Sequence, residues 1–341
     1  MMDVVAHLRD WPWHFPMTEP VLVGVSGGVD SMVLAGALVR AGWTGVVVVH
    51  VNHQLRGEAA EADEELVRNW AGRHGCGFEV VRVGVAARAA GRGISLETAG
   101  REVRLEFFRE VAARRRVNRL LLAHHADDQV ETLLMHLLRG AGTHGLGGMR
   151  AVTAWSGLEI IRPLLGVWRR DIEAWARQEN IPWREDESNH CSEHFRNRLR
   201  HEALPALERA LGREVRQGLW RTAVLAAEDD AELVAAAGGC LAAVASTDGA
   251  SLVVARLREL SPALARRVVH EWLRAAGISE VGFEAVERVL AVVRSAGRPA
   301  SCNMAGGWRV RRRAGVLFMD SQAGRAASGR EPSPRKGPEK G

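Results

Sequence analysis

The chain has 341 residues, 47% of them hydrophobic, and a formal net charge of +5. That length predicts more than one domain, and that apolar content suffices for a large core. No apolar run approaches the ~18 residues of a membrane span, the N-terminus lacks a secretory pattern, and Cys76, Cys191, Cys240 and Cys302 contain no CxxC, so the expectation is a cytoplasmic protein with neither a disulfide framework nor a zinc ribbon.

Trp11, Trp13 and Phe15 precede the first strand and read as packing. Val21 to Val25 is an apolar run of strand type, Ser26-Gly27-Gly28 turns sharply, and Asp30-Ser31 opens a helix to about Arg40. Glycines let backbone N–H groups converge, and such a nest at a helix start suits a phosphate chain. Ser26 and Ser31 add hydroxyl donors. Asp30 would repel phosphate unless a cation intervened, so it is a candidate Mg²⁺ handle. GxxxxGKS/T is absent, and the turn is not the GxGxxG of dinucleotide folds. SGGVDS instead resembles the pyrophosphatase-loop ATP enzymes, which implies ATP-driven adenylation of an oxygen and release of pyrophosphate.

Further along, Gly45 to His50 predicts a buried strand, Glu58 to His74 a helix, Phe78 to Val85 a strand, and Ser95 to Arg116 a long helix capped by Ser95. Leu120 to Ala123 and Leu158 to Ile161 predict strands, each followed by a helix, Asp127 to Arg139 and Val167 to Asn180. This alternation predicts an α/β fold, a parallel sheet with helices on both faces, with ligands at the carboxyl ends of the strands. The expected catalytic domain spans residues 1–215. A small C-terminal α+β domain is expected over 216–320, with a helix ended by Gly238-Gly239, helices from Ser261-Pro262 and over 279–295, and two short strands around Gly306-Gly307. Residues 321–341, rich in Gly, Ser, Pro and Arg, are expected to be disordered.

Beyond the turn, more constellations follow predicted strands. His50-Val-Asn52-His53-Gln-Leu-Arg56-Gly57 places polar groups where a nucleotide edge belongs. In His124-His125-Ala-Asp127-Asp128-Gln-Val-Glu131, the spacing lets His124, Asp128 and Glu131 share a face. Two carboxylates there need a cation between them, either a metal or a substrate amine, although an acidic helix start is also favoured by the helix dipole. Arg162-Pro-Leu-Leu, Asp186-Glu-Ser-Asn189 and Arg196-Asn-Arg198-Leu-Arg200 follow, and the arginines suit phosphate contact or a solvated face. Arg309, Arg311 and Arg313 fall on one side of a strand by the period-2 rule. His190, Cys191 and His194 are a weak alternative metal set.

Taken in order, SGGVDS, HVNHQLRG, AHHADDQVETLLMHLLRGAG, RPLL, DESN and RNRLR resemble the bacterial tRNA(Ile)-lysidine synthases. The likeness covers about Val21 to Pro205, with a weaker one over LSPALARRVVHEWLRAAG. Departures are Gly100, Leu105 and Gln54, and a missing second C-terminal domain. The resemblance implies an ATP-dependent ligase that joins L-lysine to the wobble cytidine of a CAU-anticodon tRNA(Ile), and a homodimer is the assembly considered. It implies that Ser26, Gly27, Gly28, Val29, Asp30, Ser31, His50 and Asn52 bind ATP with Mg²⁺ at Asp30, and that Asp128 and Glu131 bind lysine. His124 would lie near the transferred group, with Asp30, His124, Asp128 and Glu131 as the catalytic set. Arg196, Arg198, Arg200, Arg309, Arg311 and Arg313 would contact tRNA. The alternatives are a tRNA thiolase of the same group, which would want paired cysteines, and a non-catalytic nucleotide-binding regulator.

Overall fold

The computed structural model describes residues 2–185, 195–278, 281–295, 297 and 300–321. DESN, the His190, Cys191 and His194 set and the tail from residue 322 lie outside the described residues. The chain divides into two compact units, Met1–Ala227 and Glu228–Gly341.

In the first unit α1 (Val4–Arg9) precedes β1 (Val21–Gly24), α2 (Val29–Ala41), β2 (Val46–Asn52), α3 (Glu58–Arg73), β3 (Gly77–Arg82), α4 (Val85–Arg92), α5 (Leu96–Arg115) and β4 (Arg119–Leu121). Then come α6 (Ala126–Leu138), α7 (Thr143–Leu146), β5 (Val152–Trp155), β6 (Leu158–Ile161), α8 (Arg169–Gln178), α9 (Phe195–Arg198) and α10 (Leu204–Leu211). The strands order as β3-β2-β1-β4-β6-β5, parallel except for the antiparallel edge pair β5–β6. Alternation along β1 sends Val21 and Val23 to a core with α2 and α8, and Leu22 to a core with Phe107, Phe108 and Val111 of α5. Burial on both faces explains the continuous apolar runs. The chain reverses its winding between β1 and β4, and a ligand crevice is expected at their carboxyl ends.

The long helix α11 (Arg216–Val244) carries the division between the units, and the second continues with β7 (Leu252–Val253), α12 (Val254–Glu259), α13 (Pro262–Ala275) and α14 (Phe283–Arg294). Strands β8 (Ser301–Asn303), β9 (Trp308–Arg313) and β10 (Val316–Ser321) complete an antiparallel sheet ordered β7-β10-β9-β8.

Several expected boundaries need correction. Gly238-Gly239 does not end α11, which runs on to Val244. Two glycines cost only about 1 kcal/mol each in a helix, and Ala237 and Val244 are buried on either side of them in the second core. The third strand stops at Arg82, and Val85 opens α4 instead. The hairpin turns at Ala314-Gly315, both at positive φ, so the small sheet has an additional strand.

Candidate active site

The crevice begins at the turn after β1. Gly27 has φ +96°, in the region that favours glycine. The Ser31 hydroxyl donates to the Gly28 carbonyl at 3.0 Å and accepts from the Ser26 N–H at 3.1 Å, so the two serines brace the turn from inside. Gly28 is the N-cap of α2 and supplies no side-chain cap, which leaves first-turn N–H groups for an anion. His50, at the end of β2, donates from Nδ1 to the Val25 carbonyl at 2.8 Å, and burial lowers its pKa. Asn52 Nδ2 donates to the Ala60 carbonyl and to Glu64, and its Oδ1 accepts from the Gln54 N–H. In this structure it braces the loop after β2.

Asp30 points towards the third constellation. Its Oδ2 accepts from Arg169 Nη1 at 2.6 Å, while its buried Oδ1 has no hydrogen-bond partner and lies 3.8 Å from His125 Nε2. The same His125 nitrogen is 3.5 Å from Asp128 Oδ2. His125 is thus the link between the phosphate turn and the acidic helix start. Burial raises the Asp30 pKa, against the lowering effect of His125 and Arg169. Burial also works to raise that of Asp128, but His125, Arg196 and His124 outweigh it and the net shift is downward.

Asp128 and Glu131 do share one face, and that face is already cationic. Glu131 has 0% side-chain exposure and accepts from Arg196 Nε and Arg200 Nε, each at 2.6 Å. Asp128 Oδ1 takes further bonds from Arg196 Nη2 at 3.1 Å and Arg200 Nη2 at 3.4 Å. A π-helical turn, Leu199–Ala203, follows α9 and carries Arg200. Arg198 is exposed, stacked over Phe195 at 5.9 Å. The arginines expected to form one basic set therefore split, two onto the acids and one outward.

A PP-loop domain family matches residues 9–207, and a TilS substrate binding domain family matches residues 252–318. The tRNA(Ile)-lysidine synthase of Salinispora tropica is 40% identical over 314 residues, covering 89% of this chain and 91% of that one. The chain belongs to the tRNA(Ile)-lysidine synthase family. The synthase of Solibacter usitatus is also 40% identical, over 275 residues that cover 79% of this chain but 60% of that longer protein. The chain thus spans about three fifths of such members of the family. The U34-tRNA thiolase NcsA of Methanococcus maripaludis shares the fold, with TM-score 0.51 and 16% identity over 67% of this chain and 78% of that one.

Within the family's frame, sequence reasoning missed His125 and Arg169. Arg169 joins Asp30 through its side chain to Asp127 through its main-chain N–H, at 3.0 Å. It opens α8 a few residues after RPLL, a position with no chemical signal of its own. A cationic wall joins Arg162 of the RPLL motif to Arg104, which sequence reasoning missed. Desolvation within the cleft and nearby Arg101 lower the pKa of both Arg104 and Arg162. Beside them burial, with Arg104 adding to it, pushes His53 down to about 4. Burial likewise takes His124 to about 4, against the raising effect of Asp128 and with Arg162 and Arg196 adding to the fall. Both histidines are neutral at pH 7. Between pH 6.5 and about 4 the unfolded chain takes up protons that these folded histidines refuse, so stability falls as pH falls through that window. His53→Asn should flatten this slope in urea titrations between pH 6.5 and 4. An unchanged slope would show that His53 does not contribute to it.

Proposed function

We propose that this chain joins free L-lysine to C2 of the wobble cytidine of CAU-anticodon tRNA(Ile), converting ATP to AMP and pyrophosphate and giving lysidine. The observation that carries the reading is the single cleft in which His125 stands between Asp30 of the phosphate turn and Asp128 of the acid pair. An adenylated oxygen held near the turn is then within reach of an amine held at the acids.

In the first step the cytosine O2 attacks the ATP α-phosphorus and the bond to pyrophosphate breaks. Residues Ser26 to Ser31 hold the leaving pyrophosphate, with His50 and Asn52 shaping the nucleotide edge. Mg²⁺ fits Asp30, whose Oδ1 is buried and without a hydrogen-bond partner. When bound, the ion would neutralise charge on the pyrophosphate oxygens. In the second step the lysine ε-nitrogen attacks C2, the C2–O bond breaks and AMP leaves. Lysine brings two ammonium groups and one carboxylate, and a cluster of both signs suits it. Asp128 and Glu131 take an ammonium group, their carboxylates being shared between it and Arg196 and Arg200. The ε-ammonium must lose a proton before attack. Neutral His124 accepts it, and its pKa of about 4 makes it a relay and not a resting place. The setting is the cytoplasm, and one or two copies per particle are compatible with the reading.

The test is mass spectrometry of the wobble cytidine after incubation with ATP, lysine and CAU-anticodon tRNA. Lysidine formation is expected. Pyrophosphate release that ignores the tRNA, or a sulfur-containing product, would overturn the reading.

For tRNA docking, β9 adds a basic face. Val310 is buried and Arg312 donates to the Gly297 carbonyl, while Arg309 and Arg313 are exposed and Arg311 pairs with Asp320 at 3.1 Å. Phosphate contacts position the nucleic acid without reading bases. Changing Arg309, Arg311 and Arg313 together to Ala should weaken tRNA binding and reduce its log–log salt slope by roughly two to three, leaving ATP binding unaltered. Filter binding across salt concentrations checks this, and an unchanged slope would remove β9 from the docking surface.

A further inference from the structure

The buried face of α3 reads Ala60, Asp63, Glu64, Val67, Trp70 and Ala71, so two carboxylates stand where an amphipathic helix calls for apolar side chains. Burying a carboxylate is costly unless it is paired. Glu64 has a structural use: Arg82, Arg68 and Asn52 all donate to it and fasten the ends of β2 and β3. Asp63 has different partners. Its Oδ1 accepts from Arg184 Nε at 2.8 Å and its Oδ2 from Arg56 Nη2 at 2.7 Å. The Arg184 main-chain N–H in turn donates to the carbonyl of Gly27 at 3.0 Å. Gly27 itself rests on this residue, since a Cβ built there would stand 3.4 Å from Asp63 Cβ.

We propose that Asp63 is a positioning residue for the pyrophosphate turn, acting through Arg184. A carbonyl facing a polyphosphate repels it, and the peptide after Gly27 is mobile by composition, with glycine on both sides. Bonding to Arg184 engages the Gly27 carbonyl and fixes the peptide. Asp63 holds the Arg184 side chain so that its backbone can make this bond. It also keeps the guanidinium, 45% exposed, beside the turn as a cation for the leaving pyrophosphate. The carboxylate thus joins the loop after β2, the turn after β1 and the segment after α8, which are remote in sequence and meet where ATP binds.

This inference rests on the function proposed above, and the experiment separates the two. Full-length wild type, Asp63→Asn, Arg184→Ala and the double variant are compared in steady-state pyrophosphate release, with ATP, lysine and tRNA each varied. Each single variant should raise the KM for ATP roughly tenfold, the scale of one charge-assisted contact. The double variant should add little to either, because the residues act in series. The KM values for lysine and tRNA should stay within about twofold of wild type, a split that a general loss of folding does not produce. Arg184→Lys, which keeps the charge and the backbone bond, should restore part of the ATP affinity. If wild type releases pyrophosphate but the variants keep a normal KM for ATP, or if all substrates are affected alike, the positioning role is overturned while the function stands. If wild type shows no tRNA-dependent release, the function itself fails.

Discussion

Asp30→Asn should lower tRNA-dependent pyrophosphate release about a thousandfold, the upper range for losing one preorganised electrostatic group, while the chain stays folded. The reason lies in the asymmetry of the carboxylate. Arg169 engages one oxygen, and the other is buried without a partner. An amide keeps the shape and loses the charge that a cation on the pyrophosphate needs. Stability should move the other way. Burial raises the Asp30 pKa against the pull of His125 and Arg169, so in the fold the protonated form is favoured relative to the free chain. A raised carboxyl pKa contributes stability at low pH that is lost as pH rises through the folded value. At neutral pH the ionised group is therefore a local strain, as catalytic carboxylates often are. Asp30→Asn should match or exceed the wild-type Tm in calorimetry at pH 7. Near-normal pyrophosphate release, or a large drop in Tm, would remove Asp30 from the ATP site.

The sheet was legible because burial on both faces leaves continuous β-branched runs such as Val46 to Val49, while the edge was not. Strand β5, VTAW, has an alternating and partly exposed pattern, and its pairing depends on β6 and on nothing local. Helix α11 shows the same limit in reverse. Gly238-Gly239 is a strong local stop signal, and burial of Ala237 and Val244 in the second core overrides it.

In the site, motif chemistry was legible wherever the residue types themselves were unusual, as with a carboxylate in a phosphate turn. The pairing between motifs was not. Arg196 and Arg200 read as a basic stretch, and nothing in a one-dimensional spacing says that they reach back to Asp128 and Glu131. His125 was hidden beside His124, since both follow β4 and only the fold decides which faces Asp30. Asp63 gave one local signal, a charge on the apolar stripe of α3, and that signal appears only after the stripe is assigned.

Glu131→Gln tests the acid pair most sharply. Glu131 is fully buried and holds two arginines through both of its oxygens. Removing the charge leaves Arg196 and Arg200 sharing Asp128 alone. Breaking a buried pair costs about 3–5 kcal/mol, but here the arginines are 36% and 27% exposed and can turn to water. Solvent screening reduces the expected loss to roughly 1–3 kcal/mol, read as a lower urea midpoint with the chain still folded. The effect on chemistry should be larger and selective. The KM for lysine should rise about a hundredfold, the loss of one charge-assisted contact in a desolvated site, while pyrophosphate release without lysine stays near wild type. Adenylation measured as pyrophosphate and transfer measured as AMP separate the two steps. Asp128→Asn provides the control, because its carboxylate is shared among His125, Arg196 and Arg200 and its loss should also weaken lysine use. If lysine dependence holds in both variants while the KM for ATP rises, these carboxylates serve the nucleotide side of the cleft, and the amine must bind elsewhere, with the cationic wall around Arg104 and Arg162 excluded by its charge.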